Sequence, residues 1–141
     1  MMYLLDTDHA TIIQRGGTVG DRIRARIASH RVGAVHVSII SYEEQVRGRL
    51  AEVARTQSIV RQKVAYLRLA ETLDLYCKAP VLAFDESAVA QFQRLWLMRL
   101  CVGTMDLKIA AIALANDATL LTRNLLDFER VPDLRIEDWS I

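Results

Sequence analysis

The chain has 141 residues, 52% of them hydrophobic, with a formal net charge of +1. That length suits one domain and lets about 70% of the unfolded surface be buried without disulfide or metal staples. The near-neutral charge excludes a uniformly basic nucleic-acid coat but leaves room for a local basic rim.

The opening Met2-Tyr-Leu-Leu-Asp-Thr-Asp8 is a short apolar run ending in two acids. Tyr3 to Leu5 reads as a buried strand, and Asp6 stands where it stops. Asp6 or Asp8 suits the cap of a following helix, expected from about Asp8 to Gln14. Asp6 also interrupts the run and no basic segment precedes it, so it does not read as a signal peptide. Gly16 and Gly17 end that helix, with Gly20 close behind. A second helix is expected over Asp21 to His30, with Ile23 and Ile27 facing inward. Arg22, Arg24, Arg26 and Arg31 read either as a solvated face or as a rim that contacts phosphate.

Val32 to Val37 is β-branched and reads as strand two. Ser38 to Ser41 then turn the chain into a third helix. Glu44 and Gly48 are one turn apart on it, and the glycine leaves space for something to approach the backbone. Ser41-x-x-Glu44 also fits a capping box. Neither Gly nor Pro occurs from Ala51 to Cys77. The apolar spacing there suggests two helices with a break near Thr56 to Ser58.

Val81 to Phe84 is a short strand, and Asp85 caps a helix to about Arg99. Gly103 breaks the chain, and Thr104 can cap a helix to about Asn116, with Asp106 in its first turn. There Asp106 stabilises the helix dipole by roughly 0.3–1 kcal/mol even without another role. The longest apolar run, Ile109 to Ala115, is too short to cross a bilayer. Leu120 to Thr122 is a further buried strand, followed by Asn124 and Asp127 in a short turn. Leu134 to Ile136 suits an edge strand, and Trp139 plugs the tail into the core. The two cysteines, Cys77 and Cys101, lack metal-ligand spacing and read as reduced, partly buried thiols of a cytoplasmic protein.

Alternating strands and helices indicate a three-layer α/β/α fold around a parallel sheet of four to five strands, as one domain over residues 1–141. In such a sheet, strand ends and following helix starts share one edge. Asp6, Glu44, Asn124 and Asp127 fall on it. Asp106 reaches it only if the Gly103 loop delivers it there, because its helix precedes its strand. Converged carboxylates raise one another's pKa and call for a cation. Oxygen-only ligands suit Mg²⁺ or Mn²⁺, and such a centre supports metal-assisted phosphodiester hydrolysis.

The ordered stretches Tyr3-Leu-Leu-Asp-Thr-Asp8, Val37-Ser-Ile-Ile-Ser-Tyr-Glu-Glu-Gln-Val-Arg-Gly48, Gly103-Thr-Met-Asp-Leu-Lys-Ile-Ala-Ala111 and Leu120-Leu-Thr-Arg-Asn-Leu-Leu-Asp-Phe128 resemble the successive motifs of PIN-domain ribonucleases. The VapC-like toxins of bacterial toxin–antitoxin systems are the most similar group, and the Leu134-Arg-Ile-Glu-Asp-Trp139 tail resembles theirs. The resemblance implies a Mg²⁺- or Mn²⁺-dependent endoribonuclease. Asp6 and Asp106 match its principal metal-holding aspartates and Glu44 its glutamate. Asn124 or Asp127 matches its last acidic position, and Thr104 a hydroxyl that orients the aspartate or a water. It also implies a homodimer that binds a small antitoxin in an apolar groove of its own, expected near Ile12, Ile23, Val53 and Val60. Gln45 departs from the resemblance, standing where an apolar residue is usual.

Two other readings compete. Asp6-Thr-Asp8 after a strand also resembles the nucleophile motif of haloacid-dehalogenase-like phosphatases, with Asp6 phosphorylated and Asp8 as acid/base. That family needs a later lysine, and none follows Thr122. A non-catalytic PIN-like binding module, with the acids as caps, is the other.

Overall fold

The computed structural model describes residues 1–141. Five parallel strands form one sheet: β1 (Met2–Leu5), β2 (Val35–Ser38), β3 (Val81–Leu82), β4 (Ala118–Leu121) and β5 (Ile136–Glu137), in spatial order β3-β2-β1-β4-β5. The chain builds outward from β1 to β3, then crosses back to place β4 on the other side of β1. The strand order therefore reverses between β1 and β4, and ligands bind in the crevice beyond the carboxyl ends of strands at such a point. Backbone bonding continues past the strands, for the Asp6 N–H donates to the Leu121 carbonyl at 3.0 Å.

Alternation along β1 divides the core. Leu4 faces a cluster containing Ala88, Leu95, Ile109, Ile112 and Leu120. This side is covered by α5 (Glu86–Leu97) and α6 (Thr104–Ala115). Tyr3 and Leu5 face the other way, into Ile12, Ile13, Ile23, Tyr76 and Trp139. That side is covered by α1 (Thr7–Arg15), α2 (Gly17–Ala28) and α4 (Ile59–Lys78). The result is the expected three-layer α/β/α arrangement with five strands. No helix is long and apolar enough to cross a membrane.

Helix α3 (Ile39–Arg55) ends at Thr56, and Ser58 caps α4, accepting from the Arg61 N–H. The expected break at Thr56 to Ser58 is therefore present. Helix α2 starts four residues earlier than the sequence suggests. Gly16 and Gly17 have φ of +73° and +79°, a left-handed region open to glycine, so the chain reverses without a longer loop. Gly20 then lies inside α2, where a Cβ would stand 2.9 Å from the Ile12 carbonyl oxygen. Its hydrogen is what lets α2 lie directly on α1.

The α2 arginines make specific contacts within the chain. Arg22 donates to the Ser140 carbonyl at 2.6 Å, and Arg24 to the Ile13 carbonyl. Arg26 reaches the Asp138 carbonyl at 3.4 Å and lies over the Trp139 ring at 5.0 Å. They hold the carboxyl-terminal tail and the end of α1, contacts too distant in sequence for charge patterning to reveal. Cys77 and Cys101 are both exposed and free, not partly buried. Ile12 and Ile23 are core residues, so they cannot line a partner groove. Val60 is 76% exposed, and Ile59, Val64 and Leu67 are exposed beside it on α4.

Candidate functional site

Asp6 is the residue after β1 and the cap of α1. Its Oδ1 accepts from the His9 backbone N–H at 2.8 Å. The cap reading is thus correct for Asp6, and it is compatible with a role in the site, because Oδ2 makes no hydrogen bond within the chain. Asp8 lies exposed in the first turn of α1 and does not join the other acids.

Glu44 is not a capping-box residue. Helix α3 begins at Ile39, and its cap is Ser38, whose side chain accepts from the Ser41 N–H at 3.1 Å. Glu44 therefore sits in the second turn, out of reach of the cap. Its Oε1 accepts instead from Thr7 Oγ1 at 2.6 Å, and Thr7 Oγ1 lies 3.0 Å from Ser41 Oγ. Thr7 thus links the start of α1 to Glu44. Beside Glu44, Arg47, Gly48 and Met105 line an open cleft. Gly48 has no atom within 4 Å of where a Cβ would be, so the space expected there is real.

Asp106 occupies the first turn of α6. A crossover helix runs antiparallel to the strands it joins, so its amino end naturally meets their carboxyl edge. The loop before it contains Arg99 and Cys101 at φ of +53° and +58°, a left-handed region that non-glycine residues seldom adopt. The Asp106 carboxyl is pushed up to about 6, first by burial, then by the charges of Glu44, Asp6 and Asp127. The charges of three acids from separate parts of the chain therefore all reach Asp106. Like charges and desolvation each disfavour ionisation.

Asp127 lies in the short α7 (Leu125–Phe128). Its Oδ2 accepts from Asn124 Nδ2 at 3.0 Å, and its Oδ1 stands 3.4 Å from Arg130. Of the two candidates for the last acidic position, Asp127 is the one whose charge reaches Asp106, while Asn124 supports it. Thr104 does not cap α6. Gly103 is the cap residue, and the exposed Thr104 hydroxyl makes no hydrogen bond within the chain, so it does not orient Asp106 here.

The residues behind the acids were not foreseen. Gln45 is buried, accepts from the Tyr76 hydroxyl at 2.6 Å and donates to Thr11 Oγ1 at 3.0 Å. This polar bridge joins α1, α3 and α4, which explains why a polar side chain stands where an apolar one is usual. Burial raises the Tyr76 hydroxyl pKa strongly, helped by Glu44, so it stays a neutral donor.

No three His, Cys, Asp or Glu side chains are gathered tightly enough to make a protein-only metal cage. The groups acting on Asp106 are all carboxylates, a hard-oxygen set that fits Mg²⁺ or Mn²⁺ rather than zinc. Mg²⁺ in particular retains several waters and uses one or two carboxylates together with substrate phosphates, so a loose acidic group is compatible with it.

The family model described as PIN domain matches residues 3–134. Ribonuclease VapC1 of Haemophilus influenzae (strain R2866) is 24% identical over 147 residues, spanning 99% of both chains. Among solved structures, a DNA-bound VapBC from Salmonella typhimurium matches with a TM-score of 0.80 at 26% identity, over 99% of this chain and 98% of that one. VapBC-1 from nontypeable Haemophilus influenzae matches with a TM-score of 0.75 at 26% identity, over the full length of both.

Proposed function

Because this chain belongs to the PIN-domain family, we propose that it is a Mg²⁺- or Mn²⁺-dependent endoribonuclease and the toxin of a toxin–antitoxin pair. The observation that carries the reading is the convergence of Asp6, Glu44 and Asp127 on the half-buried Asp106 at the point where strand order reverses. The naming of its relatives as ribonuclease VapC and VapBC supports RNA as substrate and a small antitoxin as partner. On this reading residues 1–141 act as one nuclease domain in the cytoplasm, where RNA is found.

Asp6 and Asp106 would hold the cation, with Glu44 beside them and Asp127 completing the negative field. Thr7 keeps Glu44 turned toward the group through its 2.6 Å hydrogen bond. The open cleft at Gly48 gives the RNA backbone a place to approach, with Arg47 at its mouth. When bound, the cation supplies an acidified water and charge neutralisation for in-line displacement at phosphorus. The four carboxylates come from the end of β1, α3, α6 and α7, so any one of them can be neutralised without removing an element of the fold. A second copy and an antitoxin would cover the exposed apolar residues of α4, Ile59, Val60, Val64 and Leu67.

Incubating the chain with RNA in Mg²⁺ or Mn²⁺, and separately in chelator, tests this reading. Internal cleavage is expected only with the cation and is expected to fail in Asp6→Asn. A folded chain that binds an antitoxin but cuts no RNA in either cation would instead be a non-catalytic module. The phosphatase reading has lost its basis, since the family match spans almost the whole chain and the later lysine is missing.

A further inference from the structure

His9 is completely buried, and its two ring nitrogens face different parts of the chain. Nε2 is 3.2 Å from the Trp139 backbone nitrogen, whose N–H donates to it. An amide N–H can only donate, so Nε2 is the acceptor and the ring proton belongs on Nδ1. Asp138 Oδ1, at 3.7 Å from Nε2, is too far to compete. Nδ1 has no hydrogen-bond partner, and the carboxylate facing it is that of Asp6, with Oδ1 at 3.4 Å. A buried donor without a partner is desolvated for no return, so its placement against this one acid needs a reason.

The other side of the ring is anchored with care. Arg22 and Arg26 bind the Ser140 and Asp138 carbonyls. Asp138 Oδ1 accepts from the Ser140 N–H at 2.8 Å. Trp139 stacks on His30 with centroids 4.7 Å apart and lies 4.8 Å from Tyr3. The tail is thus fixed independently of His9, and its Trp139 N–H then selects one tautomer and one ring orientation.

Resting on the metal-nuclease reading above, we propose that His9 is a positioning residue, whose Nδ1 edge faces Asp6 Oδ1 and so transmits the docking of the carboxyl-terminal tail to the carboxylate that would hold the cation. Oδ1 accepts from the His9 backbone N–H at 2.8 Å with the ring Nδ1 3.4 Å away on the same side, and Oδ2 is left for the acidic group. Partners behind a ligating residue fix its orientation, and their loss typically weakens metal affinity by about 10–100-fold.

The test separates the two ends of the ring. An asparagine amide nitrogen reaches the place of Nδ1, whereas a glutamine amide oxygen reaches the place of Nε2. His9→Asn therefore keeps a donor for Asp6 and loses the tail contact. His9→Gln keeps the tail contact and loses the donor. Mn²⁺ alone is titrated into wild type and both variants, and melting temperature is recorded for each. His9→Asn should melt lower yet bind Mn²⁺ within about twofold of wild type, and His9→Gln should melt closer to wild type yet bind about tenfold more weakly. Unchanged affinity in His9→Gln, or affinity that simply follows melting temperature in both, overturns the inference alone. Failure of wild type to bind Mn²⁺ overturns it together with the proposed function. A measurement on wild type covers variants that do not fold: the imidazole ¹⁵N spectrum should place the His9 proton on Nδ1, and a proton on Nε2 overturns the inference.

Discussion

The β1 side and the β4 side of the acidic group carry the same chemistry on different supports. Asp6 is 6% exposed, caps α1 and is bonded to the backbone. Glu44 stands on a 17-residue helix and is held by Thr7. Across the crevice, Asp127 belongs to a four-residue helix, its side chain is 38% exposed, and Asn124 and Arg130 already engage it. Groups on long packed elements hold their geometry better than groups on loops. Exposure and a neighbouring cation also weaken the field that a carboxylate projects. The site therefore has one firm wall, which would fix where a cation sits, and one more exposed wall on a short helix.

The largest effect should come from the firm wall and from Asp106, which faces it. Asp6→Asn and Asp106→Asn should each lower kcat/KM for RNA by about 10³-fold, equivalent to roughly 4 kcal/mol of lost transition-state stabilisation. Neither variant should melt below wild type without metal at neutral pH, because each removes a like charge from the group. Parallel loss of activity and melting temperature would reduce these acids to structural caps.

Glu44→Gln should come next, at about 10²-fold in kcat/KM, or roughly 2.7 kcal/mol. The substitution preserves length and an Oε1 acceptor for Thr7, so full activity would contradict a role for the Glu44 charge in the acidic group. On the more exposed wall, Asp127→Asn should cost about tenfold or less, roughly 1.4 kcal/mol. A loss as large as that of Asp6→Asn, measured under the same conditions, would erase the distinction between the walls.

The smallest effect on cleavage concerns what stands behind the firm wall. Tyr76→Phe removes one hydrogen bond to the buried Gln45 and should lower stability by about 1–3 kcal/mol in denaturant titration, since Gln45 Oε1 loses its partner. Cleavage by the folded variant should be nearly unchanged if the bridge only joins helices.

The parts of this arrangement that depend on near neighbours were legible in the sequence. The strand ending at Asp6, the break between Arg55 and Ile59 and the burial of Trp139 follow from local pattern. The Ser38 cap was missed because two serines three residues apart both fit, and only the helical geometry of Ile39 and Ile40 separates them. Asp106 was expected to reach that edge through the Gly103 loop, and the loop between α5 and α6, with Arg99 and Cys101 at positive φ, is what precedes it. Thr7 was hidden because its partner is 37 residues away, and His9 because its partner is 130 residues away. The α2 arginines read as a solvated face or a phosphate rim for the same reason. Distant partners leave no periodicity or spacing in the chain, so the acids could be found while much of what holds them could not.

The most direct test of a cation-binding acidic group is melting temperature against pH, with and without Mg²⁺. Asp106 has a folded pKa of about 6 against an ordinary value of 3.8. Its raised value means that its contribution to stability without metal is fully present below pH ~4 and is lost as pH rises through ~6. Mg²⁺ should reverse that loss near neutral pH, by about 2.7 kcal/mol at a hundredfold excess over its dissociation constant. Near pH 4 it should do little, and the neutral-pH response should shrink in Asp6→Asn. A melting temperature indifferent to both Mg²⁺ and Mn²⁺ at neutral pH, or an equal response in Asp6→Asn, would contradict the site described here.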